Sequence, residues 1–172
     1  HTMALMLSAA RGIPAADAAM HAGKFSRDRF MGHELYEKTL AIFGLGRIGG
    51  LVAERAHAFG MRVVGFDPYC SAARASQLGV ALFDSMDEVL PIADFITVHV
   101  PRTDGTYHMF AAEQFAQMKD GVVIVNTARG GVIDEKALSD FMAAGRVFAC
   151  GIDMLEAEPS AETPLAEFDR AA

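Results

Sequence analysis

A doubly wound α/β sheet is the fold class that these 172 residues predict. Three observations carry it. Short apolar runs of strand length alternate with stretches of helical periodicity along most of the chain. Runs such as Leu40-Ala41-Ile42-Phe43 and Val122-Val123-Ile124-Val125 are apolar at successive positions, as strands buried on both faces require. The first of them opens into Gly44-Leu45-Gly46-Arg47-Ile48-Gly49, a glycine loop that leads into a helix.

In chain order, residues 3–22 read as a helix that restarts or kinks at Pro14, with Met3, Leu7 and Ala10 on one face and Asp17 and His21 nearer water. Such a face needs a cover, from this chain, a second copy or another domain. Phe25, Phe30 and Met31 in the next loop point the same way, or else pack beneath it. After the strand at 40–43 and the glycine loop, Leu51, Val52, Arg55, Ala56 and Phe59 fall at helical spacing. Gly60 stops that helix, and Arg62-Val63-Val64-Gly65-Phe66 forms the second strand, ending in Asp67.

Residues 71–78 read as a short helix and Val80-Ala81-Leu82 as a weak third strand. Ser85 is placed to cap the next helix, with Asp87 and Glu88 in its first turn. Phe95-Ile96-Thr97-Val98 is a fourth strand, stopped at Pro101. A helix over 111–118, a fifth strand at 122–125, a helix over 134–144 closed by Gly145 and a sixth strand over 147–152 complete the alternation. The predicted strand order is 3-2-1-4-5-6 with right-handed crossovers, the Rossmann arrangement, in a single domain over 1–172.

Composition agrees. A hydrophobic content of 52% suits a sheet covered on both faces, while a net charge of −7 argues against nucleic acid or an anionic membrane as partner. Two cysteines, Cys70 and Cys150, are too few for a disulfide framework, which favours a reducing cytoplasm. The apolar stretch at 3–10 is too short to span a bilayer and lacks the cationic leader of a signal peptide. His33-Glu34-Leu35-Tyr36-Glu37 starts like a zinc helix but has no second histidine, so no metal is expected.

In such sheets ligands bind beyond the carboxyl ends of the strands, where the order reverses. The glycine loop, Asp67, Val100-Pro101, Thr127-Ala128-Arg129 and the loop from Asp153 to Glu158 all fall on that edge. Read as a dinucleotide site, Gly44 makes the turn, Gly46 admits a pyrophosphate and Gly49 lets helix and strand pack. The helix start at Arg47 and Ile48 attracts an anion. Asp67 accepts from ribose hydroxyls and repels a 2′-phosphate, which points to NAD over NADP.

Arg129 either clamps a carboxylate over the crevice or bonds to loop carbonyls beside it. Asp153 either meets a nicotinamide carboxamide or caps its own loop, and Glu158 shares an acidic loop with Glu156 and Glu162. Among six histidines, His57 reads as a surface residue and His99 as a satisfied core residue rather than a base. His1, His21 and His108 have no partner visible in sequence.

These motifs, with Phe66-Asp67-Pro68-Tyr69, Val98-His99-Val100-Pro101, Asn126-Thr127-Ala128-Arg129-Gly130-Gly131-Val132-Ile133-Asp134 and Gly151-Ile152-Asp153-Met154-Leu155-Glu156-Ala157-Glu158-Pro159, closely resemble the D-isomer-specific 2-hydroxyacid dehydrogenases over essentially the whole chain. The family's phosphoglycerate-oxidising members look nearest. The resemblance implies that Arg129 holds the substrate carboxylate and carbonyl, and that Glu158 orients a histidine base. It places Arg47, Ile48, Asp67, Val100, Thr127, Ala128 and Asp153 against NAD, with Pro101 on the same rim.

The histidine takes the hydroxyl proton while hydride passes to the nicotinamide. That histidine belongs to a Pro-His-Ile/Leu-Gly segment not reached by Ala172, and the family's substrate domain is also missing. The chain is therefore expected to bind NAD or NADH with negligible turnover. Family dimers form largely through this domain, which gives residues 1–22 an interdomain and dimerisation role. Phosphoglycerate is the first-choice substrate; glyoxylate, hydroxypyruvate and D-lactate enzymes share the motifs, and formate dehydrogenases carry glutamine where Glu158 stands. Corepressors that sense NAD share this fold and many of the residues, Arg129 and Glu158 included.

Overall fold

In the computed structural model, which describes residues 1–25, 28–160 and 162–172, six parallel strands form one sheet. They are β1 (Thr39–Phe43), β2 (Arg62–Phe66), β3 (Ala81–Leu82), β4 (Phe95–Val98), β5 (Val122–Asn126) and β6 (Val147–Ile152). Their order is β3-β2-β1-β4-β5-β6, as the alternating pattern predicts.

The strands separate the core into two clusters. Leu40 and Ile42 of β1 join Val123 and Val125 of β5 in one, while Ala41 and Phe43 join Val122 and Ile124 in the other. Successive side chains of a strand point to opposite faces, so an unbroken apolar run is what two covered faces need. Three helices follow the strands as expected, α3 (Arg47–Ala58), α4 (Ala72–Gln77) and α7 (Glu135–Ala143). Ser71 and Asp134 cap α4 and α7 by accepting from Arg74 N and Ala137 N at 3.2 and 3.0 Å. Two shorter helices, α5 (Met86–Val89) and α6 (Ala112–Gln117), complete the pattern. Ser85 stands before α5, but its hydroxyl donates to Glu88 at 3.0 Å instead of capping a backbone amide.

The first segment differs from its expectation. It is two helices, α1 (Thr2–Arg11) and α2 (Ile13–His21), parted at Gly12 and not at Pro14. Gly12 takes the left-handed conformation at φ 59°, whereas Pro14 sits in the first turn of α2, where its missing N–H costs nothing. The buried face of α1 is Thr2, Met6, Ala9 and Ala10, packed against β5 and β6, with Met3 and Leu7 at its margin. This chain thus covers α1 itself. α2 buries none of its residues, and Ile13, Met20, Phe25 and Met31 stand exposed around it.

Past β6 the chain returns to that strand's outer edge. Cys150 and Ala171 form a parallel bridge, and Ile152 N donates to Ala172 O at 2.7 Å. No helix among the described residues is long and apolar enough to cross a membrane.

Candidate dinucleotide crevice and the Arg129 turn

Because all six strands are parallel, the segments that leave β1, β2, β4, β5 and β6 share one edge. Gly44 leaves β1 at φ +93°, and a side chain there would strike the His99 carbonyl at 2.7 Å. Gly49 lies on α3 over that turn, with no room for a Cβ beside the Gly44 carbonyl, 2.0 Å away. Gly46 is the opposite case. Nothing lies within 4 Å of its missing Cβ, so its bare backbone faces open crevice. Among the described residues no side chain caps the start of α3, which leaves its first amides and the positive end of its dipole toward that opening.

Asp67 binds this loop as well as facing the crevice. One carboxylate oxygen accepts from Leu45 N and the other from Tyr69 N, each at 2.8 Å. The carboxylate therefore orders the glycine loop before any ligand arrives, a role its position at a strand end does not reveal.

Two hollows adjoin along the edge. The larger, about 480 Å³, is lined by Gly44, Gly46, Asp67, Tyr69, Val100 and Pro101 among others. The smaller, about 250 Å³, is lined by Ile48, His99, Val100, Pro101, Thr127, Ala128 and Arg129. His99, Val100 and Pro101 line both, so one crevice runs from Asp67 to Arg129. Arg47, Gly49, Asp153 and Glu158 are outside both linings.

His99 sits at the centre of that crevice, where Nε2 pairs with Thr97 Oγ1 at 3.0 Å. Burial pushes its imidazole down to about 4, which keeps it neutral at pH 7. The unfolded chain therefore takes this proton first. Stability owed to His99 is complete above pH 6.5 and falls, by at most about 3 kcal/mol, as pH drops from 6.5 toward 4. Denaturant titrations across that window should show a shallower decline for His99→Gln than for the natural chain. Parallel declines would contradict a half-buried, neutral histidine.

Buried Asn126 shapes the turn that carries Arg129. Its Oδ1 accepts from Ala128 N at 3.0 Å and its Nδ2 donates to Arg129 O at 2.9 Å. This local amide-to-backbone turn is the sequence signal for a residue not singled out above. Arg129 is exposed, and its Nη1 donates to Ala128 O at 2.6 Å while the side chain lines the smaller hollow. Glu158 folds onto its own loop and accepts from Leu155 N at 2.9 Å.

Two partners come from far away in sequence. His1 Nε2 lies 2.9 Å from Asp153 Oδ1, and the Thr2 and Thr127 hydroxyls are 2.7 Å apart. The start of α1 thus lies over the β5 and β6 ends. His57 is exposed as expected and pairs with Leu78 O at 3.0 Å. Among the described residues no three His, Cys, Asp or Glu side chains are grouped to hold a metal.

Comparison with known proteins agrees with this geometry. Residues 3–172 match the family model for the D-isomer specific 2-hydroxyacid dehydrogenase, NAD binding domain. A D-3-phosphoglycerate dehydrogenase from Methanocaldococcus jannaschii is 50% identical over 98% of this chain and 32% of its own length. A hydroxypyruvate reductase from Thermotoga maritima is 46% identical over 91% of the chain and 50% of its own length. The structure of an Aquifex aeolicus D-lactate dehydrogenase complexed with NAD and lactic acid superposes with a TM-score of 0.88 at 33% identity, covering 99% of this chain and 56% of that one. The chain spans about a third of the length of the phosphoglycerate enzymes it matches. It belongs to the D-isomer specific 2-hydroxyacid dehydrogenases and is their NAD-binding domain.

Proposed function

We propose that this chain is the cofactor-binding domain of an enzyme that moves hydride between a D-2-hydroxy acid and NAD, with D-3-phosphoglycerate as first-choice substrate. The observation that carries the reading is the continuous crevice from Asp67 to Arg129, lined by bare backbone at Gly46. In this reading the adenosine ribose lies on Asp67 and the pyrophosphate on the amides of Gly46, Arg47 and Ile48. Val100, Pro101, Thr127 and Ala128 border the nicotinamide half, with Asp153 at its carboxamide. NAD supplies the hydride acceptor, and the protein holds and orients what reacts with it. Arg129 turns its guanidinium from the Ala128 carbonyl to the substrate carboxylate, a bidentate pairing suited to its fork. Glu158, freed from Leu155 N, orients a histidine base.

Fluorescence titration tests the first step: the chain should bind NADH more tightly than NADPH. No NADH binding, or equal NADPH binding, would overturn the assignment. In the parent protein, faster oxidation of D-3-phosphoglycerate than reduction of glyoxylate or hydroxypyruvate supports the substrate, and with it a place in serine biosynthesis. Residues 1–22 would join the two domains and the two copies of a homodimer. The exposed Ile13, Met20, Phe25 and Met31 around α2 favour it. Sedimentation as a monomer at micromolar concentration would count against that assembly.

A further inference from the structure

The loop at 101–110, between β4 and α6, adds no strand to the sheet, yet it binds two other loops together. His108 N donates to Gly131 O at 2.8 Å, beside the Arg129 turn. Its Nε2 lies 2.9 and 3.1 Å from the two oxygens of Glu156, and Tyr107 donates its hydroxyl to the same carboxylate at 2.7 Å. The two rings stack with centroids 4.0 Å apart. Arg102 stands 5.2 Å from the Tyr107 ring centre, and Asp134 lies 3.8 Å from His108 Nδ1. His108 holds this place at φ 49°, a left-handed conformation uncommon for residues other than glycine.

Glu156 is fastened from behind as well. Its N–H donates at 2.6 Å to Glu135, a buried carboxylate that also accepts from the Thr163 hydroxyl at 2.6 Å. Gly130 closes the ring, since a Cβ there would lie 2.0 Å from the Leu155 carbonyl. The Arg129 turn and the loop over 153–158 therefore touch backbone to backbone, and Tyr107, His108 and Glu156 span the junction.

We infer that Tyr107, His108 and Glu156 form a clasp that fixes the Asp153–Glu158 loop against the Arg129 turn, and so are positioning residues for the nicotinamide end. The inference rests on the dehydrogenase reading above. A carboxylate shared by two ring side chains suits the task, because losing it leaves two rings and a loop without their common partner. Misplacement by about 1 Å suffices to impair a hydride-transfer site.

The test measures NADH and ADP-ribose binding, and amide hydrogen exchange, for the chain and for Glu156→Ala, Glu156→Gln and Tyr107→Phe. Glu156→Ala should weaken NADH about fivefold to tenfold but ADP-ribose, which lacks nicotinamide, less than about twofold. Exchange should quicken over 153–160 and stay unchanged over 44–50. Glu156→Gln, which keeps an acceptor for Tyr107 and His108, should restore most of the NADH affinity, and Tyr107→Phe should fall between. Equal losses for both ligands, no loss in Glu156→Ala, or no rescue by glutamine would overturn the clasp. If the natural chain binds no NADH, the dehydrogenase reading fails, while exchange over 153–160 still decides the clasp.

Discussion

Asp67→Ala is expected to weaken NADH binding about a hundredfold. The carboxylate accepts from Leu45 N and Tyr69 N at 2.8 Å each, so it orders the glycine loop and is also the proposed ribose acceptor. Each charge-assisted hydrogen bond contributes about 1.5–3 kcal/mol, and losing the equivalent of two gives roughly 3 kcal/mol, or two decades in affinity. NADPH should change by less than about tenfold, because the disordered loop and the relief of charge repulsion against a 2′-phosphate oppose each other. Calorimetric titration of both cofactors resolves the two effects. Unchanged NADH affinity would show that Asp67 serves the fold alone.

Gly49→Ala and Gly46→Ala should part company, although both residues belong to one short loop. At Gly49 a methyl group would meet the Gly44 carbonyl at 2.0 Å and Ile42 Cγ2 at 3.2 Å, so α3 must move away from β1. Overpacking of this kind costs about 1–3 kcal/mol, more where the obstacle is backbone. Thermal unfolding should drop by several degrees, and NADH affinity should fall more than about tenfold because the helix start moves too. At Gly46 nothing lies within 4 Å, so alanine should leave the melting temperature unchanged and still weaken NADH, by placing a methyl group where the pyrophosphate belongs. If Gly46→Ala bound NADH normally, the proposed path of the cofactor would be wrong.

The sheet was legible because each strand carries its own signal. Residues 95–98 and 147–152 are strands with the bounds their apolar runs suggest, and the order of six follows from right-handed crossovers. The family was legible for a related reason, since its motifs are continuous segments at strand ends. The opening helices were harder. Pro14 looks like the breaker, yet proline fits a first helical turn, and Gly12 ends α1 through a left-handed backbone that no periodicity reveals. The face of α1 is also shifted: Ala10 is buried as expected, but Met6 and Ala9 stand at its centre while Met3 and Leu7 are only partly buried at its margin, a choice made by packing against β5 and β6.

What the sequence determined alone is the alternation of strand and helix, the glycine turn and the motifs that stand at the strand ends, all written in residues close together along the chain. What only the tertiary structure decided is which distant groups those residues hold: Asp67 to Leu45, His1 to Asp153, Thr2 to Thr127, and Tyr107 with His108 to Glu156. Such contacts form after the sheet has assembled and brought the loops to one edge, and their donors and acceptors leave no periodic trace. Local chemistry names the participants, and packing chooses the pairs.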